Sequence, residues 1–380
     1  MTIKVLVVDD STFVCKIIKR ILEEDPEFSV VGFAANGQEA IVKTASLAPD
    51  VITMDVEMPI MDGINAVKRI MAECPTPVLM LSAMTQVGAK ATFDALNAGA
   101  IDFLPKQLDD IDRNHENAKQ QLRLRVRTVA ATASVVRKRK ILTSSNSMMV
   151  NSFNPPFNSV SLSLKNGVRN FTPEATKSIS NSPYASPLVL SNMKLLVIVA
   201  STGGPVAIQK ILVALPSRCP VPVLLIQHMP ANFTRSFAER LDNVCQIRVK
   251  EAEHGDILEP GSAALAPGGM QLEIKSSSGK CRVELRPKSS SDIYAPCADI
   301  TLTSIAEYFP GQSLAIILTG MGADGKEGAA MLKRGGATIW AQNEASCTIY
   351  GMPKAVIDAR LADKVYDLDD IAVAFKRITS

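Results

Sequence analysis

From Ser144 to Asn192 the chain holds 12 Ser, 8 Asn and 5 Pro in 49 residues, with only four charged side chains. Such a stretch cannot bury enough apolar surface to offset the entropy of ordering it, so it reads as a flexible connector. It divides 380 residues into two pieces, each long enough for its own core. The expected organisation is a folded unit over 1–106, a linker helix over 107–143, the connector over 144–192 and a second folded unit over 193–380.

Charge follows the same division. Residues 1–106 carry 9 Lys/Arg against 14 Asp/Glu, residues 107–193 carry 12 against 5, and residues 194–380 carry 20 against 19. The net charge of +3 is therefore an acidic unit, a basic connector and a near-neutral unit averaged together. An apolar fraction of 47% is globular composition. No apolar run approaches the roughly 18 residues of a membrane span, and the first strand meets Asp9 and Asp10 too soon for a signal peptide. Seven widely spaced cysteines without a CxxC pair argue against a disulfide framework or a zinc site. A cytoplasmic chain without membrane insertion is expected.

Asp112 to Leu142 lacks Pro and Gly and repeats apolar residues at 118, 122, 126, 129, 133 and 136. Those steps predict one amphipathic helix in need of a partner surface. Its basic end, Arg137 to Lys140, reads as a solvated helix terminus favoured by the dipole. Nucleic-acid or lipid contact is the lesser reading, because no aromatics are interleaved.

Residues 1–106 alternate short β-rich runs (Ile3–Val8, Ser29–Ala34, Val51–Asp55, Val78–Ser82, Ile101–Leu104) with helical stretches near Gln38–Leu47, Gly63–Ala72 and Val87–Ala98. Five runs at this spacing predict an α/β fold with a doubly wound parallel sheet, and function gathers at the carboxyl ends of such strands. Asp9 and Asp10 close the first strand, Asp55 the third and Ser82 the fourth, and Lys106 follows the fifth. Three converging carboxylates repel one another unless a hard dication binds them, and Mg²⁺ suits an all-oxygen site. A carboxylate beside such a cation can accept a phosphoryl group, whose oxygens Ser82 and Lys106 could hold.

This segment resembles the receiver domain of response regulators over essentially its whole length. The resemblance rests on Val7-Val8-Asp9-Asp10-Ser11, on Met54 to Gly63 (MDVEMPIMDG), on Leu81-Ser82-Ala83 and on Asp102-Phe103-Leu104-Pro105-Lys106. It implies a flavodoxin-like fold, Asp55 as phosphoacceptor, Asp9 and Asp10 as metal-site acids, and Glu57 as a metal ligand through its carbonyl. It also implies Phe103 as the switch aromatic and a histidine kinase as phosphodonor. Gln107 stands where such domains commonly carry proline.

Residues 194–380 open on the apolar strand Leu195–Ala200, the turn Ser201-Thr202-Gly203-Gly204-Pro205 and a helical stretch. A strand feeding a Gly-rich turn and a helix N-terminus makes an anion-binding corner. The glycines are adjacent rather than spaced G-x-G-x-x-G, which disfavours a dinucleotide site. The better reading makes Ser201 a nucleophile facing backbone oxyanion donors. Only three histidines could serve as its base. His115 falls on the linker helix and His254 on a solvated turn, whereas His228 directly follows the strand Val223–Gln227. Asp324, in the glycine-rich turn after the strand Leu314–Leu318, is the best third member. Triads are defined by geometry, so the order Ser, His, Asp is no obstacle.

The blocks Ala200 to Gly204, Gln227 to Pro230, Phe233 to Leu241, Leu265 to Gly269, Leu318 to Gly325, Ala341 to Cys347 and Tyr350 to Pro353 are similar to the bacterial chemotaxis protein-glutamate methylesterases. The resemblance covers about 190 residues, and the pairing with a receiver is that family's architecture. It implies a Rossmann-like catalytic domain, a Ser201/His228/Asp324 triad, and backbone around Thr202 and Met321 near the oxyanion. It further implies glutamate methyl esters and glutamines on chemoreceptor helices as substrates, and no cofactor for the ester reaction. Pro296-Cys297-Ala298-Asp299 departs from the family's usual Pro-Ser-Val-Asp. A monomer is expected, with the unphosphorylated receiver packed over the Ser201 cleft and released by phosphorylation at Asp55. Two rivals are a DNA-binding regulator, disfavoured by an output unit with a net charge of only +1, and a non-catalytic signalling adaptor that keeps the fold.

Overall fold

The computed structural model describes residues 2–83, 85–106, 116–134, 136, 190 and 192–378. Gln107, His115, the basic run Arg137–Lys140 and nearly all of the connector lie outside these residues.

In the first unit β1 (Ile3–Val8), α1 (Thr12–Glu23), β2 (Phe28–Ala34), α2 (Gly37–Leu47), β3 (Val51–Asp55), α3 (Gly63–Glu73), β4 (Val78–Ser82), α4 (Gln86–Asn97) and β5 (Asp102–Pro105) alternate. The sheet is parallel throughout, in the order β2-β1-β3-β4-β5. Every residue of β3 and β4 is buried, as a parallel sheet covered on both faces requires. Local chemistry starts the helices at the carboxyl edge. Ser11, Asn36, Asp62 and Thr85 each accept a backbone N–H from the first turn they precede.

Helix α1 was not anticipated from the sequence. It buries Val14, Ile17, Ile18, Ile21 and Leu22 and, with the sheet, receives the linker helix, described here as α5 (Glu116–Ala130). Leu122, Val126 and Val129 of α5 are buried against this surface, and Lys119 and Arg127 pair with Glu24 and Asp25 at 3.2 and 3.1 Å. The amphipathic stripe thus has its partner in the first unit.

The second unit contains β6 (Leu195–Ala200), α6 (Gly204–Ala214), β7 (Val223–Gln227), α7 (Ala231–Val244), β8 (Arg248–Glu251), β9 (Ser262–Leu265), β10 (Met270–Ser277), β11 (Lys280–Pro287) and α8 (Ala298–Tyr308). It continues with β12 (Ser313–Ile317), α9 (Lys326–Arg334), β13 (Thr338–Gln342), α10 (Met352–Asp358), β14 (Lys364–Tyr366) and α11 (Leu368–Phe375). Its seven-stranded sheet has the order β14-β13-β12-β6-β7-β9-β8, and all its pairings are parallel. From β6 the chain runs first toward β7 and later returns to β12 on the other side. That reversal opens a crevice at the carboxyl end of β6. The antiparallel hairpin β10–β11, absent from the expected elements, packs on this sheet's core through Leu272, Ile274 and Val283.

The two units meet at α4, β5 and α7. Phe93 and Phe103 of the first pack on Phe237 and Phe233 of the second, with ring centroids 5.1 and 4.5 Å apart. Arg240 pairs with Asp94 at 2.7 Å across the same contact. Among the described residues no helix is long and apolar enough to cross a membrane.

Candidate functional site

The first unit gathers its acids where β1 and β3 end. Ligand oxygens of Asp9, Asp10 and Asp55 lie within 4.8 Å of one another. Lys106 Nζ sits 2.7 Å from both Asp9 Oδ2 and Asp55 Oδ2. Burial pushes the Asp55 carboxyl up, although Lys106 pulls the other way. Burial alone would lower the Lys106 ammonium, but hydrogen bonds to Asp55 and Asp9 outweigh it and hold the group above its ordinary value. An all-carboxylate donor set this compact fits a hard dication of the Mg²⁺ type. Ser82 is turned elsewhere. Its buried hydroxyl accepts from Thr92 Oγ1 at 2.7 Å and lies 3.1 Å from the Gly88 carbonyl, both on α4. Glu57 is exposed on the loop after β3.

In the second unit Ser201, His228 and Asp324 come from the ends of β6, β7 and β12, which are neighbours in the sheet. Ser201 N–H donates to Thr319 O at 3.0 Å and His228 N–H to Ala200 O at 3.1 Å. A residue missed from the sequence ties two of these ends together. Buried Gln227 donates its amide Nε2 to Ser201 O at 2.9 Å and to His228 O at 3.1 Å. Gly203, at φ +76°, lets the chain turn into α6, and a Cβ there would lie 2.6 Å from Thr348 Cβ. At Gly320 a Cβ would come within 2.8 Å of Ser201 Cβ. The glycine-rich turn thus admits the serine strand at close range.

His228 Nε2 lies 2.7 Å from Asp324 Oδ2. The same carboxylate accepts N–H bonds from Ala298 at 2.7 Å and Asp299 at 3.0 Å, at the start of α8. Cys297 Sγ adds a contact at 3.2 Å to Oδ1. Burial alone would raise the Asp324 carboxyl, but His228 and these N–H groups hold it down at about 2. The Cys297 thiol is pushed up to about 12 by burial and by the Asp324 charge. The departure from Pro-Ser-Val-Asp therefore touches the acid itself. With Nε2 facing the carboxylate, Nδ1 is the ring nitrogen left to act as a base. Among the described residues no hydrogen bond within 3.5 Å joins Ser201 Oγ to His228. His254 stands apart, exposed and accepting from Leu285 N at 3.1 Å.

The residues beside Ser201 are held by the first unit and by α5. Thr202 is fully buried, donates Oγ1–H to Asp102 Oδ2 at 2.9 Å and accepts from Arg125 Nη1 at 3.0 Å. Asp102 and Arg125 are themselves ion-paired. Thr128 of α5 lies 2.9 Å from Met321 Sδ. Both residues expected near the oxyanion are thus touched by α5.

Comparison with known proteins agrees with both halves. Residues 196–375 match the CheB methylesterase family model and residues 5–117 the response regulator receiver domain model. A protein-glutamate methylesterase/protein-glutamine glutaminase of Aliivibrio fischeri is 48% identical over 98% of this chain and 97% of its own length. The protein of that name from Shewanella frigidimarina is 46% identical over 100% of both chains. The one from a group 1 operon of Pseudomonas putida is 50% identical over 98% of both. With the receiver-type acid cluster on one sheet and the Ser201, His228 and Asp324 ends on the other, the chain belongs to the protein-glutamate methylesterase/protein-glutamine glutaminase family.

Proposed function

We propose that this chain is a phosphorylation-activated serine esterase that hydrolyses glutamate γ-methyl esters, and deamidates glutamines, on the cytoplasmic helices of chemoreceptors. The observation that carries the reading is the convergence of Ser201, His228 and Asp324 on three adjacent strand ends, with the imidazole 2.7 Å from the carboxylate. An adaptor that only kept the fold would have no use for a buried carboxylate oriented on a histidine by two backbone N–H groups.

In this reading Asp324 accepts the Nε2 proton of His228 and fixes the tautomer. The Ser201 hydroxyl turns onto Nδ1 as substrate enters, since catalytic hydrogen bonds commonly tighten only with substrate bound. Nδ1 takes the hydroxyl proton and Oγ attacks the ester carbon. The carbonyl oxygen becomes an oxyanion, held by the N–H groups of Thr202 and Met321. His228 returns the proton to the departing methoxide, so methanol leaves and an acyl-Ser201 ester remains. Water, deprotonated by the same nitrogen, releases the glutamate; with glutamine the leaving group is ammonia.

Asp55 is the proposed phosphoacceptor, with Asp9, Asp10, Asp55 and the Glu57 carbonyl holding Mg²⁺. Bound there, the cation would supply charge neutralisation for phosphoryl transfer to the carboxylate. Lys106 binds one phosphoryl oxygen, and Ser82 another by leaving its partners on α4. That exchange would disturb α4, whose Phe93 packs on Phe237, and β5, whose Phe103 packs on Phe233. The first unit, with α5 packed on it, would then release Thr202 and Met321. We further propose a division into a receiver over 1–106, a linker over 107–192 and a catalytic unit over 193–380, acting as a monomer in the cytoplasm with a histidine kinase as phosphodonor.

Methanol release from methylated receptor tests the assignment. Ser201→Ala should lose on the order of 10³-fold or more in rate while Asp55 still accepts phosphate. Wild-type release by that variant would overturn the reading.

A further inference from the structure

One aromatic side chain at the site has no role in the mechanism above. Tyr294 lies flat against the His228 ring, with centroids 4.4 Å apart and planes 10° from parallel. We propose that Tyr294 is a positioning residue: its ring fixes the plane of the His228 imidazole, so that Nδ1 faces Ser201 while Nε2 stays on Asp324. This rests on the triad reading and adds a residue to it.

The physical need is specific. The bond to Asp324 restrains one ring nitrogen and leaves rotation about that contact free. A flat partner on the ring face removes this freedom at the cost of no polar group. The same face favours the imidazolium formed during attack, by attraction between a cation and a π-system. Tyr294 can do this because its own backbone is tied down. Gln271 of β10 is fully buried; its Nε2 donates to Tyr294 O at 2.6 Å, and its Oε1 accepts from Cys297 N at 2.9 Å. Gly269 N–H donates to Ala295 O at 3.0 Å. One short segment therefore presents the ring to His228 at Tyr294 and the donors to Asp324 at Cys297, Ala298 and Asp299. The hairpin that the sequence did not announce is its anchor. The hydroxyl makes no hydrogen bond among the described residues and extends over Gly322, where a Cβ would lie 3.4 Å from it. The ring, rather than the hydroxyl, is the working part.

The test compares full-length Tyr294→Phe and Tyr294→Ala, phosphorylated with a small-molecule donor, on methylated receptor. Labelling of Ser201 by a small fluorophosphonate is the second readout, since it reports the Ser–His pair without a receptor. Displacing a reacting group by about 1 Å can cost a hundredfold, so Tyr294→Ala should lower kcat and the labelling rate by roughly ten- to a hundredfold. KM and Tm should stay close to wild type, and Tyr294→Phe should restore both rates. Equal loss in the Phe and Ala variants overturns the proposal, as does normal labelling with loss confined to KM, which would make Tyr294 a receptor contact. A fall in Tm matching the loss of labelling would make the role merely structural. Failure of the triad reading is separate: Ser201→Ala would then retain both methanol release and labelling.

Discussion

Thr202 Oγ1 donates to Asp102 Oδ2 at 2.9 Å, joining the residue after the candidate nucleophile to the residue before the candidate switch aromatic, 100 positions earlier in the chain. Arg125 completes the contact from α5. If this contact restrains the catalytic unit, Thr202→Val should raise the rate of the unphosphorylated protein, because it removes the hydroxyl and leaves the backbone N–H in place. One such bond is worth about 1 kcal/mol, or roughly fivefold in the open population. Arg240→Ala, which breaks the pair with Asp94 farther along the interface, should act in the same direction. The measurement is the ratio of methanol release with and without phosphodonor. A ratio unchanged in both variants would show that the contact does not restrain activity.

That interface could not be read from the sequence, whereas the strand ends could. The runs LLVIVA and VLLIQ are wholly buried, so they read as apolar segments, and the polar residue that follows each, Ser201 and His228, is conspicuous. Ser201 and His228 were legible for that reason, and Asp324 as the lone acid in a glycine-rich turn. Gln227 was not, because a fully buried amide at the end of an apolar strand reads as the strand's last residue. Tyr294 and Cys297 belong to an irregular segment whose position depends on Gln271 and the β10–β11 hairpin, and no periodicity announces such a segment. In α1 the apolar residues follow helical spacing, but they sit directly behind the acid-rich strand end, which masks where the helix begins. Contacts such as Phe103 with Phe233 join residues 130 apart, beyond the reach of any local pattern.

The acid cluster predicts a clean separation of the two chemistries. Removing divalent cations with EDTA should abolish acyl-phosphate formation at Asp55, because Asp9, Asp10 and Asp55 then repel one another and an incoming phosphoryl group. The rate of ester hydrolysis by unphosphorylated protein should be unaffected, since none of Ser201, His228 and Asp324 depends on the cation. Phosphate incorporation and methanol release, measured on the same sample, check this. Loss of the unphosphorylated rate under EDTA would contradict the separation.

Asp324 predicts an acid limit to stability. Its folded-state value, held down at about 2, lies below the unfolded value of about 3.9. A depressed carboxyl contributes stability that is fully present above the unfolded value and disappears as pH falls through the folded one. The Tm difference between the wild type and Asp324→Asn should therefore be fully present at about pH 5. It should shrink between there and about pH 2. A difference independent of pH over that window would mean that the carboxylate's charge does not stabilise the fold.

Gln227 offers the sharpest test of how the serine and histidine strands are kept in step. Its amide is the donor for the carbonyls of both Ser201 and His228, and the side chain is buried at 2% exposure. Gln227→Leu fills similar space without a donor, so two carbonyls lose a partner, at a cost of about 1–3 kcal/mol for each one left unsatisfied. The strand ends would then be free to drift, and a shift of about 1 Å between reacting groups can cost a hundredfold in rate. The expected result is a lower Tm together with a kcat lowered at least tenfold at unchanged KM. Gln227→Glu replaces the donor with an acceptor facing two carbonyls and should be worse on both counts. If Gln227→Leu lowered Tm while kcat stayed at the wild-type value, the amide would be holding the sheet edge together without setting the distance between Ser201 and His228.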